Sequence, residues 1–568
     1  MKKAIIFWIF ILIFPVKSQD FLSKAENPTT RVGVQSDATP LVLKLEEAIK
    51  LALENNNEIE IARNEVKLQE SQLKSLLGTF DPVFTVTPQF TRTSTTGSRA
   101  SDDFRVNAAM TKFLRYGGGS YRIFFNNVQT ENTFSQAQIS SGAASGTSKL
   151  YSSNLGISIT QPLWRNFLID ENRRQIKIQR KRLTQSDADF RRQVIEIISR
   201  VQKAYWDLVF ALKDQQNKVA NLNLSKENLR QIEAKIAAGL SAPIAKAEVN
   251  TEIANREAEV LLAVQQVSIA ENTLKGLIFK DTNTEDWKKS IIPVDEPIFD
   301  ENEKVDLEDA ITQAMRNRPE LKRLKLELEI NKIDKDFFKN QTQPQIDLTA
   351  NLSLNGFSFG KINTQPQTLP IISGNPATNP DAFLLQQINL VRANLNPSLP
   401  PVSSPVVTIP GSPNFLSGGF NRSIANMFRK DAPNYSFGLT ISFPFKNQVA
   451  EANLASSEIN KQRIEAQIRS TEQGILTEVR NAVQAVETAR QRVLAARQAR
   501  KNAEIQLEGE RKLFEAGRST TFLLFQRENA LANAKNAEIR AETDYKKAIV
   551  DLQKATSTIL QANNIEIR

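Results

Sequence analysis

The sequence predicts a mostly α-helical, internally duplicated protein in which long antiparallel coiled-coil hairpins adjoin a few β-strands of membrane type. Three observations support this fold class. The same landmarks occur in the same order in both halves, the stretch from Asn172 to Ala238 lacks proline and glycine, and shorter stretches alternate apolar and polar residues. Repetition over such a length indicates two fused copies of one architecture, because solenoid repeats span only about 20 to 50 residues.

The duplication has a defined register. The pattern Leu-Glu-x-Ala-Ile-x-x-Ala-x-x-Asn begins at Leu45 and again at Leu307, a shift of 262 residues. Two later patterns, Gly-x-x-Ile-x-x-Pro and Ala-Gly-x-Ser, each occur in both halves, beginning at Gly156 and Gly438 and at Ala238 and Ala516. We therefore divide the chain into a signal peptide (1–18), an N-terminal linker (19–42), a first structural repeat (43–300) and a second structural repeat (301–568).

The N-terminus has the three parts of a secretory signal peptide. Lys2 and Lys3 precede an apolar run from Ala4 to Pro15, and we expect cleavage after Ser18. The apolar run is shorter than the ~20 residues that a membrane-spanning helix needs, and no later apolar stretch is as long. We therefore expect an exported chain without transmembrane helices.

Composition excludes several classes of function. The chain contains no cysteine and no histidine, which removes disulfides and the side chain most used for proton transfer near neutral pH. We expect no catalytic residue, no cofactor and no metal site, and acids such as Glu46 suit the first turn of a helix. The formal net charge of +10 comes from basic residues interspersed with acidic ones, which is typical of solvated helix surfaces. No nucleic-acid partner is expected.

Hydrophobic spacing predicts two long helices that each begin a hairpin. Between Asn172 and Ala238 apolar residues recur at intervals of three, four and seven, as in a coiled-coil seam. The corresponding stretch of the second half runs from Ala450 to Ala516. At 1.5 Å per residue each helix is roughly 100 Å long, which is too long for a globular core.

Glycines and a proline mark the ends of the helical stretches. Gly239 and Gly517 suit the left-handed residue that closes a helix, so a return helix is expected after each of them, over 244–278 and 521–560. A shorter helix opens each half, over 43–77 and 305–338. Asn317-Arg318-Pro319 predicts a break within the second opening helix, because proline lacks the backbone donor.

Alternating residues predict two pairs of strands. Residues 345–354 and 435–443 alternate apolar and polar side chains, and the first half shows the same pattern around Phe84 and around Leu155. The length matches the 9–11 residues of a transmembrane β-strand, although a strand of a soluble sandwich has the same pattern. Long polar connections between the paired strands favour a barrel. Phe104–Val128 also alternates, either as an extra hairpin or as an extension of the main strands.

Four strands per chain cannot close a barrel, and open edges are not tolerated in lipid, so copies of the chain must complete the sheet. An exported oligomer with a membrane barrel at one end and ~100 Å of coiled helices at the other is a conduit between two membranes. The alternative is an exported structural or adhesive coiled-coil protein of the cell envelope. Such a protein would not need the amphipathic strands or the duplication.

Nearly all of the expected mature chain resembles the TolC-type outer-membrane efflux proteins. The resemblance rests on the duplication, on Gln161-Pro162-Leu163 where a strand leads into a long helix, on the two Ala-Gly-x-Ser segments and on alanine-rich return helices. It implies a homotrimer in outer-membrane lipid, with a twelve-stranded β-barrel, four strands per protomer, above a periplasmic α-barrel. It also implies docking, tip to tip, with a periplasmic adaptor (membrane fusion) protein attached to an inner-membrane pump or secretion transporter.

The same resemblance assigns the site residues. The hairpin tips that would contact the adaptor are Gly239, Leu240, Ser241, Gly517, Arg518 and Ser519. A simpler interpretation is that these are turn residues only. Some members of the family place acidic residues just beyond the second tip, where the pore narrows, whereas this chain has Leu523 and Gln526 there. We therefore expect a periplasmic gate at Leu523, Phe525 and Gln526, with an apolar constriction near Leu523 and Phe525 in place of an anionic ring.

The two halves differ just past their tips. Pro243 in the first half stands opposite Thr521 in the second, and Glu248 stands opposite Gln526. We expect the two hairpins to play unequal parts in opening.

Overall fold

The structure is a computed structural model that describes residues 40–566, apart from 95, 97–99, 132–148, 240–241, 284, 300, 302–304, 361, 363, 373, 398 and 430–432. The expected signal peptide and most of the expected linker lie outside the described residues. Leu41 and Val42, which we had assigned to the linker, already belong to the first strand.

The first half contains six strands and five helices among its described residues. They are β1 (Leu41–Leu43), α1 (Leu45–Asn55), α2 (Asn57–Leu77), β2 (Val83–Thr93), β3 (Ser101–Phe113), β4 (Ser120–Glu131), β5 (Lys149–Pro162), α3 (Glu171–Ala237), α4 (Ile244–Ile278), α5 (Glu285–Lys288) and β6 (Ile291–Pro293). Strands β1 and β6 form a short parallel pair beside the core.

The second half keeps the pair of opening helices, two strands of the main sheet and a long helical hairpin, but it has different elements in its outward connection. The elements of this half are α6 (Leu307–Asn317), α7 (Pro319–Gln341), β7 (Gln345–Phe359), β8 (Gln367–Pro370), α8 (Pro380–Ala393), β9 (Val406–Ile409), α9 (Phe420–Met427), β10 (Pro433–Ser442), α10 (Gln448–Glu515), α11 (Thr521–Ala555) and α12 (Ile559–Ala562).

The two long helical hairpins are α3 with α4 and α10 with α11. Helices α3 and α11 also pack against each other, so the two hairpins lie side by side. The heptad residues of α3, such as Val194, Ile198 and Tyr205, are buried in one core, and Val479 and Val486 of α10 are buried in a second. No helix among the described residues is both long and apolar enough to cross a membrane.

Both opening helices are broken, whereas the sequence predicted a break in the second one only. The predicted break separates α6 from α7 at Arg318, with Pro319 in the first turn of α7. In the first half the break falls at Asn56, which is extended (φ −69°, ψ 125°) and caps α2 by accepting hydrogen bonds from the amides of Glu58 and Ile59. The second half has a proline directly after its break, whereas the first half has only the asparagine cap. Because the first half lacks a helix-breaking residue at this point, the sequence did not predict its break.

The main sheet has six strands in the order β10-β7-β5-β4-β3-β2, and all of its neighbours are antiparallel. The expectation of four strands per chain is therefore wrong for the part of the chain that the structure describes. The stretch Phe104–Val128, whose role the sequence left open, supplies most of the extra hairpin β3–β4. The twelve-stranded trimer implied by the resemblance assumes four strands per chain, and the six-stranded sheet does not fit that assumption.

A glycine turn makes the extra hairpin possible. Gly117 and Gly118 connect β3 to β4 with φ of 73° and 66°, in the left-handed region that side chains disfavour. The Gln161 side chain, at the end of β5, donates a hydrogen bond of 2.7 Å to the carbonyl of Gly117. The turn is therefore held at the corner where the sheet leads into α3.

The long connection between β7 and β10 folds back onto the end of the sheet that lies opposite the turn at Gly117 and Gly118. Helix α9 packs on β7 and β5, where Ser423 Oγ donates to the carbonyl of Gly356 at 2.9 Å and the rings of Phe420 and Tyr151 meet edge to face. The short pair β8–β9 lies within the same connection.

Candidate functional site

The tips of the two hairpins have the same backbone geometry. Gly239 and Gly517 have φ of 75° and 70°, and a Cβ added at either position would meet no heavy atom within 4 Å. At the second tip, the amide of Arg518 donates to the carbonyl of Leu513 at 2.8 Å, which closes α10 in the manner of a Schellman motif. Both glycines are exposed. Backbone conformation, not crowding, thus favours glycine at both tips.

The remaining tip residues have different environments. Leu240 and Ser241 lie outside the described residues. Arg518 is exposed, and the hydroxyl of Ser519 donates to the carboxylate of Glu510 on α10. Thr520, not Ser519, caps the return helix, because its Oγ1 accepts a hydrogen bond from the amide of Leu523 at 3.3 Å.

The three residues of the expected gate do not share one surface. The side chain of Phe525 is only 8% exposed and packs against Ile232 and Val249 of the first hairpin. Leu523 is 38% exposed, and Gln526 is also exposed. Phe525 thus joins the second return helix to the first hairpin, while its two neighbours remain available to face another surface.

A buried charged pair joins the hairpins above the tips. Arg256 of α4 is 3% exposed and Glu528 of α11 is 4% exposed, and their closest side-chain atoms, Nη2 and Oε2, lie 3.7 Å apart. Arg256 Nη1 also donates to the carbonyl of Asn221 on α3 at 2.8 Å, and Nε donates to Glu252 at 2.9 Å. One guanidinium therefore binds all three helices α3, α4 and α11.

Amide side chains complete this buried cluster. Asn228 of α3 donates to the Glu528 carboxylate at 3.1 Å. Asn529 accepts from Arg256 at 3.2 Å and donates to Glu252 at 3.1 Å. We name the five residues Asn228, Glu252, Arg256, Glu528 and Asn529 the interhairpin cluster. Because buried charges are costly unless they are paired and hydrogen-bonded, each charged member of the cluster needs its partners in place while the hairpins are in contact.

Burial raises the pKa of the Glu528 carboxyl above its ordinary value. The hydrogen bond from Asn228 and the charges of Arg256 and Arg511 act in the opposite direction, and the carboxylate of Glu252 adds to the increase. Desolvation is the largest cause, because it disfavours the ionised form. Proton binding at Glu528 is thus coupled to its burial between the hairpins.

Thr521 and Glu248 are two of the residues at which the halves differ, and they meet in the structure. The hydroxyl of Thr521 donates to the carboxylate of Glu248 at 3.1 Å. This bond links the start of α11 to the start of α4, one turn or two below the interhairpin cluster. The divergence therefore lies at the contact between the hairpins.

Sequence reasoning did not find the interhairpin cluster. Arg256 and Glu528 lie in charge-rich helices, and such charges are usually solvated. A comparison of the two halves contains a signal: at the shift of 278 residues that relates the tips, the counterpart of Arg256 is Ala534 and that of Glu528 is Asn250. Each chain thus has one such charged pair, not two.

A family model confirms the resemblance. The model of the family described as outer membrane efflux protein matches residues 48–278 and 384–558, one segment in each half. Together the two segments cover well over half of the chain. No protein among those with curated descriptions matches the sequence.

Solved structures share the fold at low sequence identity. A membrane protein from Pseudomonas aeruginosa is 16% identical, with a TM-score of 0.57 over 90% of this chain and 93% of that chain. The outer membrane protein VceC from Vibrio cholerae is 14% identical, with a TM-score of 0.58 over 90% and 95%. For the CmeC outer membrane channel from Campylobacter jejuni the values are 15% and 0.56, over 92% and 90%. At these identities the likeness shows the fold.

The family match sets aside the structural or adhesive coiled-coil protein that the sequence kept as an alternative. It also agrees with the expectation that the chain is not an enzyme, since the family consists of channels. The duplication, the paired hairpins and the amphipathic sheet all have their place in this architecture. The chain belongs to the outer membrane efflux protein family and is an outer-membrane channel of the TolC type that extends into the periplasm.

Proposed function

We propose that the channel works as a homotrimer whose hairpin tips dock onto a periplasmic adaptor (membrane fusion) protein attached to an inner-membrane transporter. We further propose that the interhairpin cluster holds the periplasmic end closed until docking separates the hairpins. The family forms trimeric channels in tripartite efflux systems. The observation that carries the proposal is the buried pair Arg256–Glu528, which occurs once per chain and joins the two hairpins just above their tips.

Open edges of the sheet support assembly with further copies. Strands β2 and β10 are the two ends of the strand order, and neither has a second neighbour among the described residues. Apolar side chains on β10, such as Phe437 and Ile441, are highly exposed in the single chain. An open edge in lipid leaves backbone groups without hydrogen bonds, so pairing of β2 with β10 of the next copy would satisfy both edges.

Two exposed apolar side chains support docking at the tips. Ile244 follows the first tip and Phe522 follows the second, and they are equivalent positions at the shift of 278 residues. Both side chains lie largely in solvent although each lies in the first turn of a return helix. Repeated apolar residues beside exposed glycines form a surface suited to the helical tips of a partner.

For the gate, we propose that Leu523 and Gln526 face the passage while Phe525 anchors the helix that carries them. In this arrangement the first hairpin is the fixed support and α11 is the moving part. Loss of the Phe525 contact would let α11 swing outward together with Leu523. The sequence led us to expect unequal parts for the two helical hairpins in opening. The charged pair Arg256–Glu528 and the anchor Phe525, which have no counterparts in the other repeat, would explain this inequality.

Site-specific photocrosslinking tests the docking step. A photoreactive residue introduced at Phe522 or Ile244 in the full-length channel should capture a periplasmic protein with a long helical hairpin. The same residue at Arg192, an exposed position of α3 that lies 47 residues before Gly239, is the matched control. Phe522→Glu should abolish capture while the trimer persists by native mass spectrometry. Equal capture at Arg192 and at the tips would contradict tip docking.

A further inference from the structure

We propose that hairpin β3–β4 is part of the membrane barrel, so that each chain contributes six strands and three chains enclose an eighteen-stranded pore. The inference rests on the proposed trimer and deepens it. It replaces the twelve-stranded barrel that the resemblance implied.

The position of the hairpin within the sheet is the first support. Strands β3 and β4 lie between β2 and β5, not at an edge. Eleven consecutive residue pairs join β2 to β3, from Val83↔Thr111 to Thr93↔Ser101, and twelve join β3 to β4. Strand β2 therefore reaches the rest of the sheet only through the hairpin. Removing the hairpin from the barrel would also break the pairing of β2.

The apolar face of the sheet continues across the hairpin without interruption. Residues that face each other in an antiparallel pair lie on the same side of the sheet. One such row crosses all six strands and is apolar throughout: Phe84, Met110, Ile123, Ile157, Leu352 and Tyr435. The next row on the same face, further from the turn at Gly117 and Gly118, contains Val86, Ala108, Phe125, Leu155 and Leu354. The hairpin thus presents the same surface to lipid as the four strands that the resemblance predicts.

The opposite face carries a matching polar row. It consists of Thr87, Asn107, Asn126, Asn154 and Asn355, each paired with the next. Two of these asparagines belong to the hairpin and two to the main strands, and Asn154 donates a side-chain hydrogen bond to Asn355. Outward apolar and inward polar residues are the pattern of strands that line an aqueous pore. A hairpin that projected into solvent as a loop would not need this alternation.

The turn of the hairpin is fixed at the rim of the barrel. Gln161 binds the carbonyl of Gly117, and a Cβ on Gly118 would lie 2.3 Å from the carbonyl oxygen of Asn166. Gly118 therefore packs against the backbone that leads from β5 into α3. The hairpin enters the sheet at the same level as the main strands and spans the same height.

Barrel diameter grows roughly in proportion to strand number, so eighteen strands enclose a pore roughly one and a half times as wide as twelve. Barrels of 16 to 18 strands leave an aqueous channel. The membrane section of this channel therefore passes bulkier cargo than a twelve-stranded barrel of the same tilt. The narrow section of the channel is then formed by the helical hairpins, not by the barrel.

Single-cysteine labelling tests the placement, because the chain has no cysteine of its own. In the full-length trimer in liposomes, Asn107→Cys and Asn126→Cys should react with a water-soluble maleimide roughly tenfold faster than Met110→Cys and Ile123→Cys, since the reactive thiolate requires water. Asn351→Cys and Leu352→Cys on β7 are the matched control pair. Fast labelling at all four hairpin positions, with alternation kept at the control pair, would overturn the eighteen-stranded barrel. Loss of alternation at the control pair as well would contradict the membrane sheet itself.

Disulfide formation distinguishes the two strand orders. Thr87→Cys with Asn107→Cys, and Asn126→Cys with Asn154→Cys, should each form a disulfide within one chain, read as protection of both thiols from alkylation. Thr87→Cys with Asn154→Cys should not, because β2 and β5 are three strand spacings apart, roughly 14 Å, beyond the reach of a disulfide. A four-stranded sheet pairs β2 directly with β5 and reverses this outcome.

Discussion

Asn56 and Arg318 occupy equivalent positions in the two repeats, and each donates a hydrogen bond to the end of the return helix of its own half. Asn56 Nδ2 binds the carbonyl of Leu277 at 2.9 Å, and Arg318 Nε binds the carbonyl of Ala555 at 2.7 Å. Leu277 and Ala555 are themselves related by the shift of 278 residues that relates the tips. The break in each opening helix thus anchors the far end of each hairpin.

The first prediction concerns this anchor. Asn56→Ala removes the cap of α2 and leaves the Leu277 carbonyl without its donor, so we expect a loss of about 1–3 kcal/mol in the free energy of unfolding. Arg318→Ala should cost more, because Arg318 also forms ion pairs with Glu320 and Glu478. Thermal loss of the helical circular dichroism signal measures both. Arg230→Ala removes an exposed pair with Glu227 and should leave the midpoint unchanged.

The interhairpin cluster gives the second prediction. Arg256→Ala leaves Glu528 buried without its cation, and breaking a buried pair in this way costs about 3–5 kcal/mol. If the cluster holds the closed state, a loss of about 3 kcal/mol raises the ratio of open to closed hairpins roughly a hundredfold. Single-channel recordings should show larger and longer openings than in the wild type. Unchanged openings in a correctly assembled Arg256→Ala trimer would exclude the cluster as the closing contact.

A dependence on pH is the third prediction. Because burial raises the pKa of Glu528 in the closed contact, the closed state binds a proton more tightly than an open state that exposes the carboxyl to water. Lowering the pH toward the ordinary range of a carboxyl pKa should therefore favour closure and reduce conductance, and raising it should favour opening. Glu528→Gln keeps an acceptor for Asn228 and cannot titrate, so its conductance should lack this component. An identical pH profile in both proteins would assign the effect to other groups.

The fourth prediction separates the residues of the expected gate. Leu523→Ala removes a side chain that is partly exposed and should raise leak through the closed channel with little effect on stability. Phe525→Ala should instead destabilise the contact of the hairpins, since truncating a buried phenylalanine costs about 3–5 kcal/mol. Conductance of the closed channel and thermal midpoints, measured on both variants, distinguish the two roles. Equal stability losses would place Leu523 in the same packed contact as Phe525.

The tip glycines give the fifth prediction. Gly239→Ala and Gly517→Ala create no clash but force alanine into the left-handed region, at a cost of roughly 1 kcal/mol each. Gly509→Ala, in the interior of α10 and also without neighbours, should stabilise by about 0.5–1 kcal/mol. Opposite shifts of the thermal midpoint check the assignment. If Gly239→Ala or Gly517→Ala weakens adaptor binding by more than the small stability change explains, the tip glycine takes part in docking.

The long helices could be predicted closely because their signals are local. Heptad spacing, the absence of proline and a glycine at each tip gave 172–238 and 244–278, and the structure has Glu171–Ala237 and Ile244–Ile278. The last predicted helix is shorter than expected, because Ser557 adopts a left-handed φ of 55° and separates α11 from α12. No proline or glycine marked that position.

The strand count and the interhairpin cluster depend on pairing between distant residues. The alternation around Met110 and Ile123 was visible in the sequence, but whether these residues pair with β2 and β5 depends on contacts that no local pattern encodes. The burial of Arg256 likewise depends on Asn221 and Glu528, which lie 35 and 272 positions away. A charge on a helix has the same appearance in sequence whether it faces water or a second hairpin.

Planar-bilayer recording of the purified full-length chain is the most direct test that this protein is a channel closed by its own hairpins. The wild-type trimer should insert and give discrete conductance steps, and Arg256→Ala should give larger steps under the same conditions. Wild-type and Arg256→Ala trimers that both insert into the bilayer without any conductance steps would contradict the channel and its closing contact together.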